Sequence, residues 1–527
     1  MYIKNLSIYI PDADRYLLKD LSFSLAPCDK LALIGEEGNG KSTLLRLLQG
    51  EDLSNYAQVT GEINREGAYL AYLPQSLGPK DLELSPQAYL WQHLPEYGLD
   101  YSLYYRLLDT LRLNEEVLQA QVSLGQLSGG ERIKFLLLVA QLQTPDIYLL
   151  DEPSNDLDFD GLEALERFIL EVSQPVLFVS HDELLLENCA NAILHIEHLG
   201  PDLLPRQNFV RIPYAEYRDK HLQQYQKDMQ IAKKDKSQYD AKLRRHQQIF
   251  ERVQHELRAV SRQDPATAKN LKDKMRTVKA QEKRYAKEKE QLRQKPMRER
   301  PIRLDFEQKL DLPHSSKEIL NLSLPELRVG EASSAMPVNA QKGRLLSQNI
   351  NLQVRGIEKI CIVGPNGCGK TTLLKIIERM LEENGIRTAY MPQNYFDELD
   401  PSKTAIEFLS RSAEKSEHTA VRTFLGSLEF RPDEMFLPLG QLSGGQLAKL
   451  YMAKMVFSEA AYLILDEPTR NLSPLSAPKV RAALRDYPGG ILAVSHDRKF
   501  IREVIDKVYR LEAGGLRLLS PEEQAAI

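Results

Sequence analysis

The same set of phosphate-handling segments occurs twice in this chain, in the same order. The first copy reads GEEGNGKS at Gly35–Ser42, LPQ at Leu73–Gln75, LSGGE at Leu127–Glu131, YLLDEP at Tyr148–Pro153 and SHD at Ser180–Asp182. The second reads GPNGCGKT at Gly364–Thr371, MPQ at Met391–Gln393, LSGGQ at Leu442–Gln446, LILDEP at Leu463–Pro468 and SHD at Ser495–Asp497. One such segment arises by chance. Five in order, twice, imply two nucleotide-handling domains and a chain that binds and hydrolyses nucleoside triphosphate.

An apolar strand precedes each glycine loop, Leu31–Ile34 and Ile360–Val363, and a helical pattern follows, Leu44–Leu48 and Leu373–Ile377. That strand–loop–helix order is what a P-loop requires, so two α/β P-loop domains are expected. Gly35, Gly38, Asn39, Gly40 and Thr43, with Gly364, Asn366, Gly367, Gly369 and Thr372, line loops whose backbone N–H groups turn toward the phosphates. Lys41 and Lys370 reach the β- and γ-phosphates, and Ser42 and Thr371 offer hydroxyls to Mg²⁺.

Asp151 and Asp466 end apolar strands and are placed to hold Mg²⁺, with Gln75 and Gln393 near the metal and the attacking water. Glu152 and Glu467 follow as the expected general bases. His181 and His496 end the strands VLFVS and ILAVS and can contact the γ-phosphate. Ser128, Gly129 and Gly130, and likewise Ser443, Gly444 and Gly445, each open a helix, which makes a second anion site. Tyr16 is a candidate for stacking on the base in the first copy.

A chain of 527 residues exceeds one hydrophobic core. The expected blocks are a first cassette at 1–213, a helical linker at 214–300 and a second cassette at 301–527. The four cysteines form no CxxC pair, so zinc and iron–sulfur sites are not expected, and reduced thiols are. The N-terminus lacks the signal-peptide pattern. No stretch approaches the ~18 apolar residues of a membrane span, so the chain is not expected to be a complete membrane transporter, and a cytoplasmic location follows.

The net charge of -5 conceals an asymmetry. Tyr214–Arg300 holds about 25 basic and about 13 acidic residues, a surplus near +12, and has no glycine. Leu222, Tyr225, Met229, Ala232, Tyr239, Leu243, Phe250, Val253, Leu257 and Val260 step by three and four, interrupted at Lys236 and His246. That is a heptad seam. It breaks at Ser261–Thr267 and resumes at Leu271, Met275, Val278, Tyr285 and Leu292. An antiparallel coiled-coil hairpin follows, its first helix about 70 Å long and its second about 40 Å. A one-signed surplus on a stiff arm suits a polyanion. Arg258, Arg262, Lys269 and Lys272 near the tip are the candidate RNA contacts.

The motifs strongly resemble those of ATP-binding-cassette proteins. In that family two cassettes pack head to tail, and ATP lies between one P-loop and the opposite LSGG. The resemblance implies that Gly35–Ser42 faces Ser443–Gln446 and Gly364–Thr371 faces Ser128–Glu131, as an intramolecular cassette dimer in a monomeric chain. Two cassettes, no span and a basic hairpin resemble the ABC-F family over essentially the whole chain. That implies a translation factor on the ribosome, touching 23S rRNA and tRNA near the exit site with the hairpin toward the peptidyl-transferase centre. Two segments depart from the family's usual PTNHLD: PSNDLD at Pro153–Asp158 and PTRNLSPLS at Pro468–Ser476. The latter resembles the subgroup that includes ribosome-protection factors against lincosamides, pleuromutilins and streptogramin A. Those factors often carry longer tips than Ser261–Thr267, so a general translation factor stays open beside drug protection. The alternatives are an energising ATPase subunit of a transporter with separate membrane subunits, or a DNA-repair ATPase. The first has no use for a basic arm, and the second has longer insertions or zinc cysteines.

Overall fold

A computed structural model describes residues 1–94, 98–115, 118, 122–155, 157–198, 204–259, 269–278, 280–281, 312–314, 317–328, 344–410, 414–428, 430, 432, 434–470 and 472–527. It divides into one unit of Met1–Tyr214 with Glu299–Ile527, and a second of Ala215–Arg298.

Each half of the first unit is built on a six-stranded sheet. In the N-terminal half the spatial order is Leu70–Leu73, Ile147–Asp151, Val176–Val179, Lys30–Ile34, Ala192–Glu197 and Arg206–Val210. The first five strands run parallel and the last is antiparallel. The C-terminal half repeats this as Thr388–Met391, Tyr462–Asp466, Gly490–Val494, Lys359–Val363, Lys507–Glu512 and Gly515–Leu518. Parallel strands covered on both faces need near-continuous apolar runs, and KLALI, IYLLD and VLFV are buried throughout. An antiparallel sheet of Arg15–Ser24, Tyr2–Ile10 and Gln58–Asn64 accompanies the first half, and the pair Glu318–Arg328 and Leu345–Arg355 the second.

Register decides where the chemistry collects. Asp151 and Leu33 both pair with Val179, and Asp466 and Ile362 both pair with Val494. The P-loop, the Asp-Glu pair and the SHD histidine therefore leave the sheet along one edge. That edge, at the carboxyl ends of the strands, is where open α/β sheets bind ligands.

The two halves meet through charge. The helices that follow the SHD motifs, Glu183–Cys189 and Arg498–Val504, are capped by Asp182 and Asp497. Their sequences carry opposite signs, ELLLENC against RKFIREV. Lys499 lies 3.0 Å from Glu183 and 2.6 Å from Glu187, and Arg498 pairs with Glu166. Arg481 bonds Glu183 at 2.7 Å and Glu503 at 2.9 Å. Arg481 and Glu183 are 2% and 3% exposed. Burial pushes the Glu183 carboxyl up, but Arg481 and Lys499 outweigh it and hold the group below its usual range. Asp182 is pushed up to about 6 by burial, against Arg498.

The helix Tyr214–Ala259 runs 46 residues, all but the first in the second unit, and residues 269–278 are helical. Tyr239 and Val253 are buried, as are Leu271 and Val278. His246 is also buried, and its Nε2 meets the Val278 carbonyl at 2.9 Å. His246, polar but on the seam by its spacing, is packed there as a seam histidine, its imidazole closing on a backbone carbonyl. Leu243 and Leu222, placed on the seam by spacing, are 42% and 37% exposed; the buried positions Tyr239, His246 and Val253 advance by whole heptads instead. Residues 260–268, including Arg262 and the break, and seam positions Tyr285 and Leu292 lie outside the described residues. No described helix is long and apolar enough to cross a membrane. All four cysteines are free: Cys189 and Cys361 are buried and Cys28 is exposed.

Arg481→Met leaves the buried Glu183 carboxylate with Lys499 alone and is expected to cost about 3 kcal/mol at neutral pH in chemical denaturation. Because the folded pKa of Glu183 lies below the ordinary 4.5, the wild type holds this stabilisation above that value and loses it as pH falls through the folded pKa. The two proteins should converge on acidification; a gap that persisted or widened there would contradict this assignment.

Candidate nucleotide sites

The P-loops are fixed by close backbone approach. Gly35 has φ +149, and a Cβ there would lie 2.4 Å from the Ile196 carbonyl oxygen. Gly364, at φ +154, would meet the Leu511 oxygen at 2.3 Å. The helices Lys41–Gln49 and Lys370–Glu383 begin directly after the loops. Lys41 Nζ donates to the Gly35 and Glu36 carbonyls, both at 2.9 Å. Lys370 Nζ donates to Gly364 at 2.8 Å and Pro365 at 3.0 Å. The Asn39 amide donates to Ile196 at 3.0 Å, so its side chain supports the loop from behind.

Each candidate metal pair is already in contact. Ser42 Oγ donates to Asp151 at 3.0 Å, and Thr371 Oγ1 donates to Asp466 at 2.7 Å. Burial pushes both aspartates up. The buried Asp466 Oδ1 has no hydrogen-bond partner among the described residues. A hydroxyl and a carboxylate with a spare oxygen form the hard donor set that suits Mg²⁺.

Glu152 and Glu467 follow these aspartates in the left-handed region, at φ 50 and 52. Such a conformation is costly for a residue with a Cβ and gathers at functional sites. The two glutamates then differ. Glu152 lies 3.0 Å from His181 Nε2, and His181 Nδ1 meets the Leu472 carbonyl of the other half at 2.7 Å. Burial pushes Glu152 up, but His181 outweighs it and the net shift is downward. Glu467 is 3.8 Å from His496 Nε2. Burial and the neighbouring Asp466 push it up to about 8. Burial presses His496 down to about 3, with Phe159 of the first half 5.5 Å from its ring.

Two cavities cover these groups. One of about 370 Å³ is lined by Lys41, Ser42, Thr43, Gln75, Glu152 and His181, together with Arg470 from the second half. The other, about 380 Å³, is lined by Lys370, Thr371, Thr372, Gln393, Asp466, Glu467 and His496, with Ser154, Asn155 and His181 from the first half. Gly38 and Gly40 line the first cavity, and Asn366, Gly367 and Gly369 the second. Arg470 lines both, a position that motif reading did not single out. Tyr16 is not among the lining residues. Its ring lies tilted against that of Tyr9, with centroids 5.0 Å apart, while its strand neighbours Arg15 and Leu17 line the cavity from the opposite face.

The LSGG segments form capping boxes. Ser128 caps the helix Gly129–Leu142 with Glu131 reaching back, and Ser443 caps Gly444–Ser458 with Gln446. The S-x-x-E/Q spacing was a visible signal for this. The second of these helix ends meets the first P-loop: Gly445 N–H donates to Glu37 Oε2 at 2.6 Å, and Lys449 lies 3.4 Å from Glu36. Ser128, Gly129 and Gly130 do not line the second cavity, whose far wall is formed by Ser154, Asn155, Leu157 and His181. Arg258, Lys269 and Lys272 are exposed on the separate second unit.

Arg470→Ala is expected to raise the KM for ATP roughly tenfold, with Arg470→Lys recovering part of the loss, since a guanidinium beside phosphate acts through charge and hydrogen bonding together. Steady-state hydrolysis measures both; an unchanged KM would remove Arg470 from the sites.

The profile of the ABC transporter family matches residues 18–155 and 347–470. The chain is 26% identical to ABC transporter F family member 5 of Arabidopsis thaliana, over 95% of this chain and 73% of that protein. It is 28% identical to the putative ATP-binding protein YdiF of Bacillus subtilis, over 94% and 78%. It is 25% identical to the ATP-binding protein Uup of Escherichia coli, over 95% and 79%. Among solved structures it resembles the archaeal ribosome recycling factor aABCE1, crystallised with the ribosomal stalk protein aP1. There the TM-score is 0.58 at 19% identity, covering 99% of this chain and 91% of that one, a likeness of fold. Two P-loops, two Asp-Glu pairs and two LSGG helices on a doubled parallel sheet accord with that profile in both halves: the chain is a tandem ATP-binding cassette ATPase, similar over nearly its whole length to an ABC transporter F family member.

Proposed function

We propose that this ATPase works on the ribosome in the cytoplasm, closing with ATP between its cassettes and leaving when ATP is hydrolysed. The observation that carries the first part is the contact of the first P-loop with the LSGG helix of the second cassette. A nucleotide in that cavity would touch both halves, so its binding and loss are felt as closure and opening. Lys41 and Lys370 hold phosphate, Glu152 and Glu467 take the proton of the attacking water, and His181 and His496 stand beside them. Ser42, Asp151 and Gln75 at one site, and Thr371, Asp466 and Gln393 at the other, would hold Mg²⁺, which neutralises phosphate charge when bound.

The ribosomal destination is supported by three things. The segment Tyr214–Arg300 carries a surplus near +12. The described part of it is helical with exposed Arg258, Lys269 and Lys272. A fold neighbour, in complex with Pelota, is described as ribosome-bound. A stiff cationic element suits RNA, which proteins read largely by shape and backbone charge. In this reading the arm lies along 23S rRNA and tRNA near the exit site and points toward the peptidyl-transferase centre. The likeness of PTRNLSPLS to drug-protection factors supports antibiotic protection as one form of this role, and susceptibility with and without the gene separates it from a general role in translation.

With Glu152→Gln and Glu467→Gln together and ATP present, the protein should sediment with ribosomes through sucrose. Recovery with membranes instead would contradict the proposal. Adding Arg258→Glu, Lys269→Glu and Lys272→Glu should weaken ribosome binding at least roughly tenfold at moderate salt while ATP binding stays intact. Equal ribosome affinity would detach the arm from RNA recognition.

A further inference from the structure

The two P-loops differ at one chemically important position. Glu37 stands in GEEGNGKS where the second loop, GPNGCGKT, has Asn366. A carboxylate among phosphate-binding backbone groups works against anion binding, so its position calls for a physical account.

Glu37 does not point away. Its Oε2 accepts the Gly445 N–H at 2.6 Å, across the interface between cassettes. A Cβ placed on Gly444 would lie 2.7 Å from Oε2 and 3.0 Å from Oε1, so both carboxylate oxygens rest on the glycine pair. Glu36 adds the 3.4 Å contact with Lys449, one turn into the same helix. The next amide, Gln446 N–H, is taken by Ser443 Oγ at 3.3 Å, and Leu447 N–H by the Ser443 carbonyl at 2.9 Å. The start of this 15-residue helix therefore spends a free donor and its positive dipole end on the Glu37 carboxylate.

We propose that Glu37 is a positioning residue of the first nucleotide site: its carboxylate is an internal anion that holds the opposing LSGG helix, and a γ-phosphate must displace it to be held there. This rests on the reading that ATP binds between the first P-loop and that helix. ADP, which has no γ-phosphate, need not displace the carboxylate. Glu37 thus makes the first site discriminate against the triphosphate in binding, and keeps the two surfaces in register between nucleotides. The second site, with Asn366 at this position, carries no such competitor.

The test is calorimetric titration of the full chain with ATP and with ADP, in Mg²⁺, on a Lys370→Ala, Glu152→Gln background that isolates the first site and stops its turnover. Glu37→Gln and Glu37→Asn should tighten ATP binding roughly tenfold and leave ADP nearly unchanged, while Glu37→Asp keeps most of the wild-type ratio. Equal tightening of both nucleotides would overturn the proposal, since it would reflect only the removal of a charge near phosphate. So would an unchanged or weaker affinity for ATP. Should the background variant fold poorly, Glu37→Gln is read instead on a chain carrying only Glu152→Gln and Glu467→Gln, where ATP should tighten at one of the two sites and ADP at neither; no selective tightening there overturns the proposal equally. If the unsubstituted first site binds neither nucleotide, the reading of the site itself fails, a result distinct from failure of the Glu37 role alone.

Discussion

The nucleotide sites depend on the cassettes being held head to tail, and buried charge pairing around Glu183 and Arg481 is the interaction that holds them. A helix end serves only the anion it faces. Once the acidic helix after the first SHD packs against the basic helix after the second, the first P-loop faces the second LSGG. The charges also select the partner. Two copies of the first cassette would set Glu183 and Glu187 against like charge, and two copies of the second would oppose Arg498 and Lys499. Such repulsion disfavours pairing between chains and favours closure within one.

On this frame the two sites are unequal. Glu152 is drawn below its usual range by a close His181, against burial, and the other nitrogen of that histidine is fixed by a carbonyl from the opposite cassette. Glu467 has a more distant histidine and a raised pKa. The first P-loop carries Glu37 and the second Asn366. Both glutamates share the left-handed backbone after a buried strand, so the strain belongs to the design of the cassette and the inequality to its surroundings. Arg470, His181 and Asn155 line both cavities and so border both sites at once.

Much of the cassette was legible in the sequence because its information is local. Apolar runs gave the buried strands, glycine spacing gave the loops, and the parallel register then collected Asp151, Glu152 and His181 without further instruction. Reading failed where a contact joins distant segments. Nothing local marks Arg481 as the partner of Glu183, Arg470 as a lining residue of both cavities, or Glu37 as the ligand of Gly445. Tyr16 does not line the first cavity for a related reason: its strand alternates, and Arg15 and Leu17 are the residues that line it. In the arm, a three-and-four count admitted Leu243, while burial follows whole heptads through His246.

The central claim is that each ATP is held by parts of both cassettes, and counting occluded nucleotide in paired lesions tests it most directly. In a chain whose catalytic glutamates are changed to glutamine, Lys41→Ala with Ser443→Arg damages one composite site and should leave one ATP occluded. Lys41→Ala with Ser128→Arg damages both and should leave none. The reverse pattern, with the second chain retaining ATP and the first none, would show that each cassette closes on its own nucleotide and would contradict the account.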